Sequence, residues 1–166
     1  MKALILFRSH YGNTKQVAEA IAREIHSQGH KAIIQDLRRR LPDLSGFDLL
    51  LLGAPTRMAK VGRKALRVLK KLRKAGFTDK PIAVFDTYGP LPKTPEEMEK
   101  GKKWLIPGAA GILQQTAKDL GLRVYEKTLR CEVQAMKGPL AADALDKAAI
   151  FTKDFLSSVA VVPPRT

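Results

Sequence analysis

A doubly wound, three-layer α/β sandwich is predicted, with a five-stranded parallel sheet in the order 2-1-3-4-5 between two layers of helices. Three features of the sequence predict it. Short apolar runs alternate with segments of helical periodicity along the 166 residues. The runs are mostly unbroken, as strands covered on both faces require. Five of them within one domain's length suit that strand order. One domain over 1–160 is expected, followed by a short tail at 161–166.

The first run is 3–7 (ALILF), the second 31–35 (KAIIQ), and the third and most apolar 47–53 (FDLLLLG). The fourth is 81–86 (PIAVFD). Residues 122–133 (LRVYEKTLRCEV) alternate instead, which suits a long fifth strand near an edge. Helices fall between the runs. Residues 14–27 place Val17, Ala18, Ile21, Ala22 and Ile25 on one stripe, and Gly29 supplies the stop. Asn13 and Gln16, three apart, suggest a capping box at its start. Residues 62–75 and 108–120 are the next helices, the latter ended by Gly121. The last spans 140–159, with Ala144, Leu145, Ala148, Phe151, Phe155 and Leu156 as apolar positions. Residues 88–107, with four prolines and two glycines, form the longest irregular stretch. Loops of that length are often functional.

Composition narrows the chemistry. A 45% hydrophobic and 28% charged chain is not a disordered one. The single cysteine, Cys131, excludes an internal disulfide and a multi-cysteine metal site, and reads as a buried structural thiol. His10, His26 and His30 form no metal-ligand pattern, so no metal is expected. No run approaches the roughly 18 apolar residues of a membrane span. The apolar start is too short for a signal segment, and a cytoplasmic location is expected.

In a doubly wound sheet a ligand binds beyond the carboxyl ends of the strands, where strand order reverses. Here that means the segments after the first, third and fourth strands. The first, Arg8-Ser9-His10-Tyr11-Gly12-Asn13-Thr14, offers hydroxyls, a glycine and a helix N-terminus, the elements of a phosphate site. It lacks the glycine fingerprints of dinucleotide and P-loop sites. The second, which includes Pro55, Thr56, Arg57, Met58 and Ala59, leaves room for a flat ligand beside a buried strand. The third includes Thr87, Tyr88 and Gly89. Tyr88 has two roles open to it, stacking on a ring or packing under its own loop.

Together, RSHYGNTKQVAEAIA, LLLLGAPTRMAKVGRKALRVLKKL and AVFDTYGP resemble the flavodoxin-like family over nearly the whole chain. The turn at 136–140 (MKGPL) resembles a feature of its short members. The resemblance implies non-covalent FMN. Ser9, His10, Tyr11, Gly12, Asn13 and Thr14 would hold the phosphate. Pro55, Thr56, Arg57, Met58 and Ala59 would line one side of the isoalloxazine, and Thr87, Tyr88 and Gly89 the other. Tyr11 stands at the middle Thr of the family's first-loop pattern. The second loop has no aromatic residue, which leaves Met58 or Tyr88 to cover the ring.

The family is typically acidic, whereas this chain carries a formal net charge of +14. Ten Lys and Arg against one acid lie between Arg57 and Lys80. On a helical wheel Arg63, Lys64, Arg67, Lys70, Lys71 and Lys74 share an arc opposite Val61, Ala65, Val68, Leu69 and Leu72. That face suits solvent, an acidic redox partner docked on helix 62–75, or a membrane surface. Nucleic acid is not expected, because no recognised motif is present and only 6% of residues are aromatic. Three functions follow from the resemblance: FMN-based electron transfer to a redox partner, in which no side chain need be catalytic; an FMN-dependent oxidoreductase of the quinone reductase or protoporphyrinogen oxidase type, acting on a small molecule; and a non-flavin binding module on the same fold.

Overall fold

The computed structural model describes residues 1–161, and its five strands pair in the order β2-β1-β3-β4-β5, all parallel. The strands are β1 (Lys2–Phe7), β2 (Lys31–Asp36), β3 (Leu49–Pro55), β4 (Ile82–Tyr88) and β5 (Leu129–Glu132). The helices are α1 (Asn13–Ser27), α2 (Arg63–Lys74), α3 (Pro95–Gly101), α4 (Gly108–Asp119) and α5 (Ala144–Val161).

Successive strand side chains point to opposite faces, and this splits the apolar runs into two cores. Ile5, Leu51 and Phe85 join the stripes of α1 and α5 on one face. Leu4, Leu6, Leu50, Leu52 and Val84 meet α2 and α4 on the other. Both faces of the central strands are therefore buried, which is why their sequence runs unbroken. Cys131 sits in the first core, fully buried, with its Sγ 3.7 Å from the Ala144 carbonyl. Burial, more than any charge, pushes its thiol pKa up to about 12.

Several boundaries differ from those expected. The third and fourth strands each run two residues further, because Thr56 N–H still bonds the Thr87 carbonyl across their ends at 2.8 Å. Pro55, Thr87 and Tyr88 therefore stand on strand ends, not in loops. The fifth strand is shorter than 122–133. Val124 makes one isolated bridge to Ile82, and the ladder resumes only at Leu129. Between them the Gln114 side chain donates to the Tyr125 and Glu126 carbonyls, replacing strand partners. The last helix starts at Ala144, not at 140, because Leu140 bridges back to Val133.

The expected capping box is absent. Gly12 is the N-cap of α1, at φ +91°, and no side chain caps that end. The 88–107 stretch contains α3, capped by the Thr94 hydroxyl, which accepts from Glu97 N–H at 3.1 Å. Of the expected tail, Val161 ends α5, and 162–166 lie outside the described residues.

Candidate functional site

At the carboxyl edge of the sheet, where strand order reverses between β1 and β3, a cleft of about 400 Å³ opens. That is within the usual span of small-molecule sites. Its lining comes from the segments after β1, β3 and β4, and from a fourth after β5.

The first wall is Ser9, His10, Tyr11, Asn13 and Thr14. Ser9 Oγ accepts from Gly12 N–H at 3.0 Å and fixes the turn. The first bond within α1 is Gln16 N–H to the Gly12 carbonyl. The N–H groups of residues 13–15 thus have no helical partner and sit at the positive end of the helix dipole. Thr14 is buried, and its hydroxyl lies 2.8 Å from that of Thr87. One hydroxyl donates to the other, which leaves one proton to offer elsewhere. His10 Nε2 lies 3.3 Å from Arg57 Nη1. Its pKa is held below 6.5 by desolvation first, then by Arg57, Arg8 and Arg38.

The second wall is Pro55, Thr56, Arg57 and Met58. Arg57 and Lys60 exchange both backbone hydrogen bonds, closing a tight turn with Met58 at φ +52° and Ala59 at φ +63°. Met58 is 69% exposed, an apolar side chain held at the lip of the cleft.

The third wall is Thr87, Tyr88 and Gly89. The Arg130 guanidinium stacks 4.3 Å from the Tyr88 ring. Tyr88 also lines the cleft, so both roles stay open to it.

Twelve of the fourteen candidate residues line this single cleft. Gly12 caps α1 beneath it, and Ala59 sits in the turn beyond Met58. Sequence reasoning missed Val133 and Met136. They arrive through the hairpin between Val133 and Leu140, in which Gln134 N–H bonds the Pro139 carbonyl at 2.8 Å. The MKGPL turn marked that region in the sequence, and Lys137 places its ammonium 6.0 Å from the Tyr11 ring.

Behind the second and third walls lies a polar network that the sequence did not disclose. Asp86, with no exposed surface, accepts from the Thr56 hydroxyl at 2.8 Å, from Ala110 N–H at 3.1 Å and from Arg130 Nε at 3.0 Å. Thr56 Oγ1 accepts in turn from Ala109 N–H at 2.7 Å. The start of α4 approaches so closely that a Cβ on Gly108, at φ +72°, would collide with the Arg130 guanidinium.

These residues fit a phosphorylated planar ligand. The unpaired N–H groups at the start of α1 and the Thr14–Thr87 hydroxyl pair supply donors, as an anion requires. Met58 and Tyr88 add apolar surface to the same lining. When bound, FMN supplies the redox chemistry, and the protein supplies binding, orientation and electrostatics.

Residues 4–146 match the family model for the flavodoxin domain. The fold is that of a flavodoxin from the domain Archaea, at 21% identity and a TM-score of 0.74, covering 96% of this chain and 99% of that one. Flavodoxin 1 from Bacillus cereus matches at 21% identity and a TM-score of 0.71, covering 95% of this chain and 98% of that one. The rubredoxin oxygen:oxidoreductase from Desulfovibrio gigas matches at 12% identity and a TM-score of 0.72, covering 96% of this chain but 36% of that one. With most of its length matched by the domain model, the chain belongs to the flavodoxin family, and FMN is the cofactor that membership implies.

Proposed function

We propose that the 400 Å³ cleft is the FMN site and that the protein carries electrons to an acidic redox partner docked on α2. The convergence of twelve candidate residues from three separated segments carries this reading. Residues 9–14 hold the phosphate with backbone N–H groups and hydroxyls. The ring lies between the Met58 turn and Tyr88. The docking face is supported by α2, which buries Ala65, Val68, Leu69 and Leu72 and leaves its basic residues exposed. Among the described residues no helix is long and apolar enough to cross a membrane.

Titration with FMN, followed by visible absorption and fluorescence, tests the site. Saturation at one FMN with quenched emission is expected. Asn13→Ala and Thr14→Ala are expected to weaken FMN more than riboflavin, because these positions face the phosphate. Equal losses would refute that assignment. A protein that takes up no FMN would instead be a non-flavin module. For the carrier role, reversing Lys70, Lys71 and Lys74 to Glu is expected to slow reduction of an acidic protein acceptor about tenfold or more at low salt. Flavin absorption should not change.

One observation favours a second reading, that of an FMN-dependent oxidoreductase. A side cavity of about 230 Å³ adjoins the cleft at Thr56, Met58 and Gly89, and is bordered by Pro90, Trp104 and Leu105. It offers space for a small substrate beside the ring. Trp104, which borders that cavity, is 46% exposed. NAD(P)H-driven quinone turnover would support this reading over that of a carrier.

A further inference from the structure

Across the Pro55–Arg57 wall lies another cavity, of about 340 Å³, with a different character. Ala54, Pro55 and Ala65 give it an apolar floor. Arg8, Arg57, Arg63, Lys64 and Arg67 surround that floor, and no carboxylate lines it. None of the four ion pairs found among the described residues involves any of the five cations. Three of them occupy the first two turns of α2, whose first turn has no acidic residue. Cations at that end oppose the helix dipole. Arg57 and Arg8 also disfavour a charge on His10, which borders both cavities. Five cations thus gather around one cavity with no carboxylate facing them, a setting that attracts an anion.

We propose that this cavity binds an organic polyanion: a small molecule with an apolar body and two or more phosphate or carboxylate groups. The body lies on Ala54, Pro55 and Ala65. The anionic groups meet the planar forks of Arg8, Arg57, Arg63 and Arg67, which suit both oxyanions in bidentate geometry. Because Pro55, Arg57 and His10 belong to both cavities, the ligand lies directly against the candidate FMN cleft. The site is separate from the docking role of the rest of α2, and it stands whether or not the cleft holds FMN.

Amide-resolved NMR titration of the FMN-treated protein with pyrophosphate, citrate and benzene-1,3,5-tricarboxylate tests it. Saturable one-to-one binding is expected for at least one probe, with shifts centred on Arg8, residues 54–57 and residues 62–67. Arg63→Gln with Arg67→Gln should weaken it at least tenfold. Lys70→Gln with Lys74→Gln, which removes the same charge from the same helix outside the cavity, should weaken it less than threefold. Preference for pyrophosphate would assign the ligand as a phosphate, and preference for the tricarboxylate as a carboxylate. Shifts that never saturate, or equal losses in the two double variants, would overturn the proposal. Shifts centred on residues 9–14 instead would place the anion in the neighbouring cleft and also overturn it.

Discussion

The Asp86 carboxylate has no exposed surface, and its partners are Thr56 in a wall of the cleft, Ala110 on α4 and Arg130 on β5. Thr56 and Tyr88 are thereby braced from beneath by one group. Removing the charge strands Arg130, whose Nη2 is already buried without a partner among the described residues. Asp86→Asn is therefore expected to lose about 3 kcal/mol of stability, the lower end for breaking a buried pair, because Arg130 retains some exposure. Urea denaturation measures this, and adding Arg130→Met should recover part of the loss. His10 gives a pH signature. Folding holds its pKa below 6.5, so the unfolded chain binds the proton first as pH falls. The stability it contributes is full above pH 6.5 and declines below it. A phosphate dianion beside His10 would oppose the three arginines and raise that pKa. NMR titration of the imidazole should show the rise on adding FMN, and FMN affinity should strengthen on acidification less in His10→Gln than in the parent.

The turn between Arg57 and Lys60 holds Met58 and Ala59 in a conformation that favours glycine. Ala59→Gly is expected to raise stability by about 1 kcal/mol, read as a higher urea midpoint. If the strain positions Met58 at the lip, the same variant should bind FMN more weakly. Element identity was legible wherever one period ruled the sequence. The unbroken runs of β1 and β3, and the stripes of α1 and α2, gave the sheet order and the three ligand segments. The candidate cleft was legible for the same reason, since its walls lie at the strand ends of a doubly wound sheet. What escaped were non-local decisions. Residues 122–133 alternate like one strand, but Gln114, on a different element, takes the carbonyls in the middle. Gly12 in place of an Asn13 cap leaves the amides of α1 uncovered, which is a feature of the site more than of the helix. Arg130 looked like one polar position of an alternating strand, and nothing local announces that its partner is 44 residues away.

The molecule's charge acts on any bound flavin as a whole. One unit charge ~10 Å away in water contributes roughly 0.4 kcal/mol, or about 20 mV for one electron. A basic surface favours the reduced, anionic cofactor and raises its potential. Salt screens that effect over about 10 Å at 0.1 M. The potential of the FMN-loaded protein should therefore become more negative as ionic strength rises, by potentiometric titration, and a flat or opposite trend would refute it. The lone sulfhydryl, sealed between β5 and α5, offers a final use. It has no route to solvent and scarcely any thiolate at neutral pH, so alkylating reagents reach it only when that edge of the sandwich opens. Its rate of labelling is thus a clock for breathing of the native fold, and the slowing of that clock by a ligand would report how firmly occupancy clamps the distant edge.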